Sequence, residues 1–186
     1  WSSDVCSSDL DTETTGLYRS EGAELVEVAV LREDGVICEN TLIKPTKPIP
    51  SRATAVHGIT DKMVAHAPSI RDVRKKLYTL LEGQTVVIYN AEFDLQWFNG
   101  LKQIADVRCC MLRYAEFYGD YDDYHGDYRW VKLTTAAQQV GCVLPPYLTP
   151  HRALADCYMT RAVWNYMERS RTREKGLQGP SQGLDV

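Results

Sequence analysis

Apolar residues along the chain follow two periods, and the change between them marks out the elements. Glu24 to Leu31 (ELVEVAVL) and Val36 to Ile43 (VICENTLI) are rich in β-branched residues and are separated by Asp34-Gly35, a turn dipeptide, so they predict a β-hairpin. Three prolines between Lys44 and Pro50 exclude regular structure there and predict an extended loop. After Pro68, the positions Ile70, Val73, Leu77, Leu80 and Leu81 repeat at the helical period up to Gly83. Thr85 to Tyr89 (TVVIY) is a continuous apolar run of the kind buried on both faces of a sheet, and it leads directly into a helical stretch expected to reach Ile104. A strand and helix fit residues 107–118, whereas Gly119 to Tyr128 reads only as a polar, tyrosine-rich loop. Leu133, Ala136, Ala137 and Val140 predict a helix ended by Gly141, and Ala155, Met159, Ala162, Val163 and Tyr166 predict a last one from about Ala153 to Arg169. Strands first, then alternating helix and strand, give an α/β class: a mixed β-sheet flanked by helices, in one domain.

The 186 residues suit one ordinary domain, and 44% hydrophobic with 25% charged residues is a globular composition with no run of the roughly 18 apolar residues that a membrane helix needs. Six cysteines without CxxC spacing read as reduced thiols, which implies a cytoplasmic protein. The net charge of −4 lacks the basic excess of proteins that grip long nucleic acid. Any nucleic-acid contact is therefore expected to be short, as at a strand end, with bound cations supplying positive charge.

The opening WSSDVCSSDL shows neither period, nor the regions of a signal peptide. It resembles the in-frame translation of a sequencing adapter, so residues 1–10 are expected to be an artefactual leader in place of a native strand. The predicted domain then spans 11–169, and 170–186, rich in Gly, Gln, Ser and charge, is expected to be a disordered tail.

Asp11-Thr12-Glu13 puts two carboxylates two residues apart, hence on one face of a strand, and Thr14-Thr15-Gly16 then breaks that strand with small residues. Alone, the pair reads equally well as exposed strand-end acids. Asp94 follows a buried strand, where α/β sheets carry functional groups, but a first-turn acid there also stabilises the helix dipole by about 0.3–1 kcal/mol. His151 and Asp156, five apart, would project about 140° from each other within one helix. Pro150 puts a break at the histidine, which then ends a loop while Asp156 sits on the helix. Four acids and a histidine from separate segments make sense together around two hard divalent ions, Mg²⁺ or Mn²⁺, because clustered carboxylates repel unless a cation sits among them. Two such ions about 3.5–4 Å apart suit in-line phosphoryl displacement, and a histidine suits the deprotonation of the attacking water.

The motifs DTETTGL (Asp11 to Leu17), VHGIT (Val56 to Thr60), YNAEFD (Tyr89 to Asp94) and HRALADC (His151 to Cys157) together resemble, in order, the DEDDh branch of the DnaQ-like exonucleases, the family of the proofreading subunit of bacterial DNA polymerase III. The likeness covers nearly everything from Asp11 to about Met167. It implies an RNase H-like fold and a two-metal 3′-5′ exonuclease with Asp11, Glu13, Asp94 and Asp156 as metal ligands and His151 as general base. It further implies that Thr14, Thr15, Leu17, His57, Ile59, Asn90 and Phe93 border or shape the pocket for the terminal nucleotide. Arg152 stands where the sister branch carries tyrosine, and Tyr89 where this branch often has histidine. The expected substrate is the 3′ end of DNA, in single-stranded form, with a DNA polymerase as an associated partner and no membrane. Two readings compete: an exoribonuclease acting on short RNA, and a catalytically silent module that docks on a polymerase.

Overall fold

The computed structural model describes residues 7–177. Five strands form one mixed sheet in the order β3-β2-β1-β4-β5, with β1 at Ser7–Thr14, β2 at Leu25–Arg32, β3 at Ile37–Leu42, β4 at Thr85–Ile88 and β5 at Asp106–Cys109. β1, β2 and β3 run antiparallel, and β4 and β5 add in parallel on the other side of β1. The predicted hairpin is β2 and β3, turning at Gly35 with φ 86°, a backbone region that costs glycine nothing.

The strand expected ahead of Asp11 is present in the chain itself. Ser7, Ser8 and Asp9 pair in parallel with Thr85, Val86 and Val87, and Leu10 lies opposite Val30, so residues 7–10 join the hairpin to the parallel half of the sheet. β1 therefore begins four residues before Asp11. Residues 1–6 of the supposed leader, and 178–186 of the supposed tail, lie outside the described residues. The strand was hard to see because its side chains are polar, and it survives in the middle of a sheet because each has a partner. Ser8 Oγ donates to Gln84 Oε1 (2.8 Å), Ser7 Oγ to Glu33 (2.8 Å), and the buried Asp9 accepts from Arg161 Nε.

Helices cover both faces. On one, α3 (Ile70–Leu81), α4 (Ala91–Leu95), α5 (Leu101–Ile104) and the segment between the last two bring Val73, Leu77, Leu81, Trp97, Phe98 and Leu101 onto Leu10, Val28, Val30, Val86 and Ile88. On the other, α6 (Cys110–Tyr118), α7 (Leu133–Gln139) and the long α8 (Ala153–Leu177) pack on Val87 and Tyr89, and α8 also covers Ala29 and Leu31. Continuous burial of Val86, Val87 and Ile88 matches the apolar run read as β4.

Two expectations differ from the structure. The helix after β4 does not reach Ile104: it stops at Leu95 and resumes as α5, with Gly100 at φ 92° between them. The last helix passes Arg169 and continues to Leu177, into the stretch read as tail. The chain after the prolines forms two short helices, α1 (Ser51–His57) and α2 (Asp61–Val64), held by packing of Ala53, Ile59 and Val64 on Val26. The tyrosine-rich loop contains a two-residue hairpin, β6 (Tyr121–Asp122) and β7 (Asp127–Tyr128). Among the described residues no helix is long and apolar enough to cross a membrane, and the five described cysteines are free thiols.

The Asp9–Arg161 pair joins the central strand to α8, and burial pushes the Asp9 carboxyl up to about 7 against the opposing pull of Arg161. Arg161→Ala leaves this acid unpaired, so a loss of about 3–5 kcal/mol is expected in urea unfolding at pH 8, while the apolar double replacement Asp9→Val with Arg161→Met equals or exceeds the parent in stability. Parental stability in Arg161→Ala contradicts the role given to the pair.

Candidate active site

Alternation along β1 turns Asp9, Asp11 and Glu13 toward α8 and Leu10 and Thr12 toward the α3 side. One turn above the buried Asp9–Arg161 pair, Asp156 of α8 meets the other two acids: single carboxylate oxygens of Asp11, Glu13 and Asp156 all lie within 4.8 Å of one another. Asp94 lies near enough for its charge to act on Asp11, and its Oδ1 accepts the Thr12 hydroxyl at 2.6 Å. Beyond Glu13 the β1–β2 ladder shifts register, Glu13 facing Glu27 but Thr14 facing Leu25, which ends regular pairing at the site.

Bringing these acids together has an electrostatic cost visible in each one. Desolvation and then the charges of Asp94, Asp156 and Glu13 hold Asp11 well above the usual carboxylate range. Burial, followed by the charges of Asp156, Glu27 and Asp94, pushes Glu13 up to about 8. Burial raises Asp94 to about 7 despite the Thr12 hydrogen bond, and raises Asp156 to about 6 although the His151 amide opposes it. Oxygen donors alone, crowded and electron-rich, are what a hard divalent cation requires. The set therefore fits such an ion.

His151 directly follows Pro150 and ends the loop ahead of α8, as its spacing from Asp156 required. Its φ is 63°, rare for a residue with a side chain, and its amide donates to Asp156 Oδ1 at 3.0 Å. The imidazole is exposed. A clamp absent from the sequence reading fixes this conformation. Glu27 of β2, 3% exposed, accepts from Arg152 Nε (3.0 and 3.2 Å) and Nη2, and from the Ala153 amide at 3.0 Å. One buried carboxylate thus ties both residues after His151 to the sheet and caps the start of α8. The signal was available: Glu27 is the one charge in the apolar run Leu25 to Leu31. Arg152 has the further effect of partly offsetting the repulsion that raises Glu13.

Of the residues expected around the terminal nucleotide, Thr14, Thr15, Leu17, His57 and Phe93 line one cavity of about 450 Å³ that also includes Glu13. Leu17 is 67% exposed at its rim. Burial lowers the pKa of His57, and its Nδ1 accepts the Ile59 amide at 3.0 Å, which places the proton of the neutral ring on Nε2. Ile59 does not line this cavity, because its side chain is wholly buried with Val26 and Val64. Asn90 also faces elsewhere, into a second cavity across α4. Tyr89, in place of the expected histidine, is buried and donates its hydroxyl to the Val131 carbonyl at 2.6 Å, tying segment 129–132 to the end of β4.

The exonuclease family model (RNase_T) matches residues 10–164. The chain belongs to this family and is an exonuclease, in agreement with the DnaQ-like motifs. It is 41% identical over 167 residues to the uncharacterized exonuclease CP81 of Escherichia phage 186, covering 83% of this chain and 84% of that protein. It is 34% identical over 158 residues to exodeoxyribonuclease 10 of Escherichia coli K12, covering 83% of this chain and 64% of that one. Its fold is similar to the solved structure of Exonuclease X in complex with 5′-overhanging duplex DNA, with a TM-score of 0.69 at 29% identity over 89% of this chain and 93% of the other.

Glu13, Asp94 and Asp156 bind protons more tightly folded than unfolded, where their ordinary values are 4.5, 3.8 and 3.8. Their contribution to stability is therefore complete below about pH 4 and is lost as pH rises through about 6 to 8. In thermal unfolding of the metal-free protein this acts to lower Tm between pH 4 and 8, and Mn²⁺ is expected to raise Tm more at pH 8 than at pH 5. An equal metal response at both pH values would contradict electrostatic crowding at the site.

Proposed function

We propose that the chain hydrolyses DNA from its 3′ end and releases nucleoside monophosphates, with Asp11, Glu13, Asp94 and Asp156 holding two divalent ions and His151 acting as general base. One observation carries the reading. Acids of β1 and α8 converge, Asp94 of α4 lies close enough for its charge to raise Asp11, and the same Asp156 that joins the cluster holds the backbone of the histidine ahead of it. When bound, Mg²⁺ or Mn²⁺ would supply Lewis-acid stabilisation of the attacking and leaving oxygens in an in-line displacement.

The remaining work belongs to side chains. Asp156 accepts the His151 amide with Oδ1, which leaves Oδ2 for an ion. Thr12 orients the Asp94 carboxylate through its 2.6 Å hydrogen bond. The exposed imidazole of His151 takes the proton of the attacking water through a ring nitrogen, and the Glu27–Arg152 clamp holds the loop that presents it. The cavity between Thr14, Leu17, His57 and Phe93 receives the terminal nucleoside. DNA as substrate is supported by the Escherichia coli relative, named an exodeoxyribonuclease, and by the similar structure's DNA complex. The resemblance to a proofreading subunit makes a DNA polymerase the partner to test by co-purification.

His151→Ala is expected to lower kcat about 10²- to 10⁴-fold while Mn²⁺ binding by calorimetry stays close to the parent. Asp94→Ala abolishes both. Matched DNA and RNA oligonucleotides, labelled at the 5′ or 3′ end and incubated with Mg²⁺, test direction and sugar preference together. Early loss of the 3′ label from DNA supports the proposal, and faster loss of RNA reverses the substrate assignment. Full activity in His151→Ala removes that residue as base.

A further inference from the structure

The short helix α4 has a cavity on each side. Phe93 faces the one that holds Glu13 and Thr14, whereas Asn90, Glu92 and Leu95 line the other, of about 580 Å³, across the carboxyl ends of β4 and β5. That position is where open α/β sheets bind ligands. Two large apolar side chains in its wall face solvent, Trp130 at 62% and Leu112 at 45% exposure. The segment carrying Trp130 is tied down on both sides, by Tyr89 Oη to the Val131 carbonyl (2.6 Å) and by the Arg129 amide to the Asp120 carbonyl (2.8 Å). In the lining of the same cavity, the side-chain amides of Asn90, Asn99 and Gln103 and the ammonium of Lys102 have no hydrogen-bond or ion-pair partner among the described residues. Lys102 is balanced by Glu92 in the same wall, so the cavity does not present the basic surface that phosphates select.

An exposed indole on a tethered segment, beside unpartnered amides in a cavity the size of one nucleotide, suits a stacked base whose edge meets hydrogen-bonding groups. We propose that this cavity binds a base upstream of the cleaved bond on a single-stranded substrate, stacked on Trp130, with Asn90, Asn99 and Gln103 meeting its polar edge. The inference rests on the exonuclease reading above and extends it: the strand crosses α4, with its terminal nucleoside on the Phe93 side and an upstream base on the Trp130 side. Because every base has a π face, the contact adds affinity without strong sequence preference.

The test separates long from minimal substrates. Binding of a 5′-fluorescein-labelled single-stranded dT8 is followed by anisotropy with Ca²⁺, and hydrolysis of the p-nitrophenyl ester of thymidine 5′-monophosphate is followed with Mn²⁺. Trp130→Ala should weaken dT8 binding about 5- to 150-fold, the equivalent of about 1–3 kcal/mol of stacking at 1.4 kcal/mol per tenfold. Trp130→Phe should recover most of this, and Gln103→Ala should weaken binding in the same direction. The one-nucleotide ester is too short to reach the cavity, so its kcat/KM should change less than twofold in Trp130→Ala. Parental dT8 affinity in Trp130→Ala, or an equal loss on ester and oligonucleotide, overturns the subsite. If the parent hydrolyses neither the ester nor, with Mn²⁺ in place of Ca²⁺, dT8 itself, the exonuclease reading fails by itself, and the binding measurements still decide whether this cavity takes a base.

Discussion

Carboxylates gathered out of water resist ionising, and each makes ionisation harder for the others, so a chain that assembles four of them needs a framework strong enough to hold them there. The sheet supplies it. Asp11 and Glu13 are fixed by their alternation on β1, Asp94 by the short helix α4 that follows β4, and Asp156 by the first turn of α8. Their raised proton affinities measure the opposition the framework overcomes, and they also make the site receptive to divalent cations.

α8 is the element through which most of this is arranged. The residue before it, Arg152, engages Glu27; its first turn carries Asp156; and farther along Arg161 neutralises Asp9 beneath the site. The loop ahead of it carries His151 in a left-handed backbone conformation that would cost about 1–3 kcal/mol without support. Hydrogen bonds from His151 to Asp156 and from Arg152 and Ala153 to Glu27 provide that support. His151 and the acid cluster are thereby held by one small network, through which a change in Glu27 or Arg152 reaches His151.

How much was legible in the sequence depended on how local each cause was. The hairpin, β4, and the helices at 70–81 and from Ala153 were readable because an apolar period or a turn dipeptide writes itself in neighbouring residues. α1 and α2 were not, because helices this short are stabilised by docking on Val26 rather than by their own composition. The strand at Ser7–Leu10 was invisible for a related reason: its polar side chains are satisfied by Gln84, Glu33 and Arg161, all distant in sequence.

The sequence by itself determined the acid pair on one strand face, the break before His151 that lets it share a site with Asp156, and the family to which four ordered motifs belong. Tertiary structure decided what lies between distant residues. It put Asp94 against Thr12, clamped Arg152 with Glu27, separated Ile59 and Asn90 from the cavity they were expected to share, and left Trp130 exposed beside a second one. Periodicity reports which face a residue occupies, but only the packed sheet and helices fix which other residue it meets there.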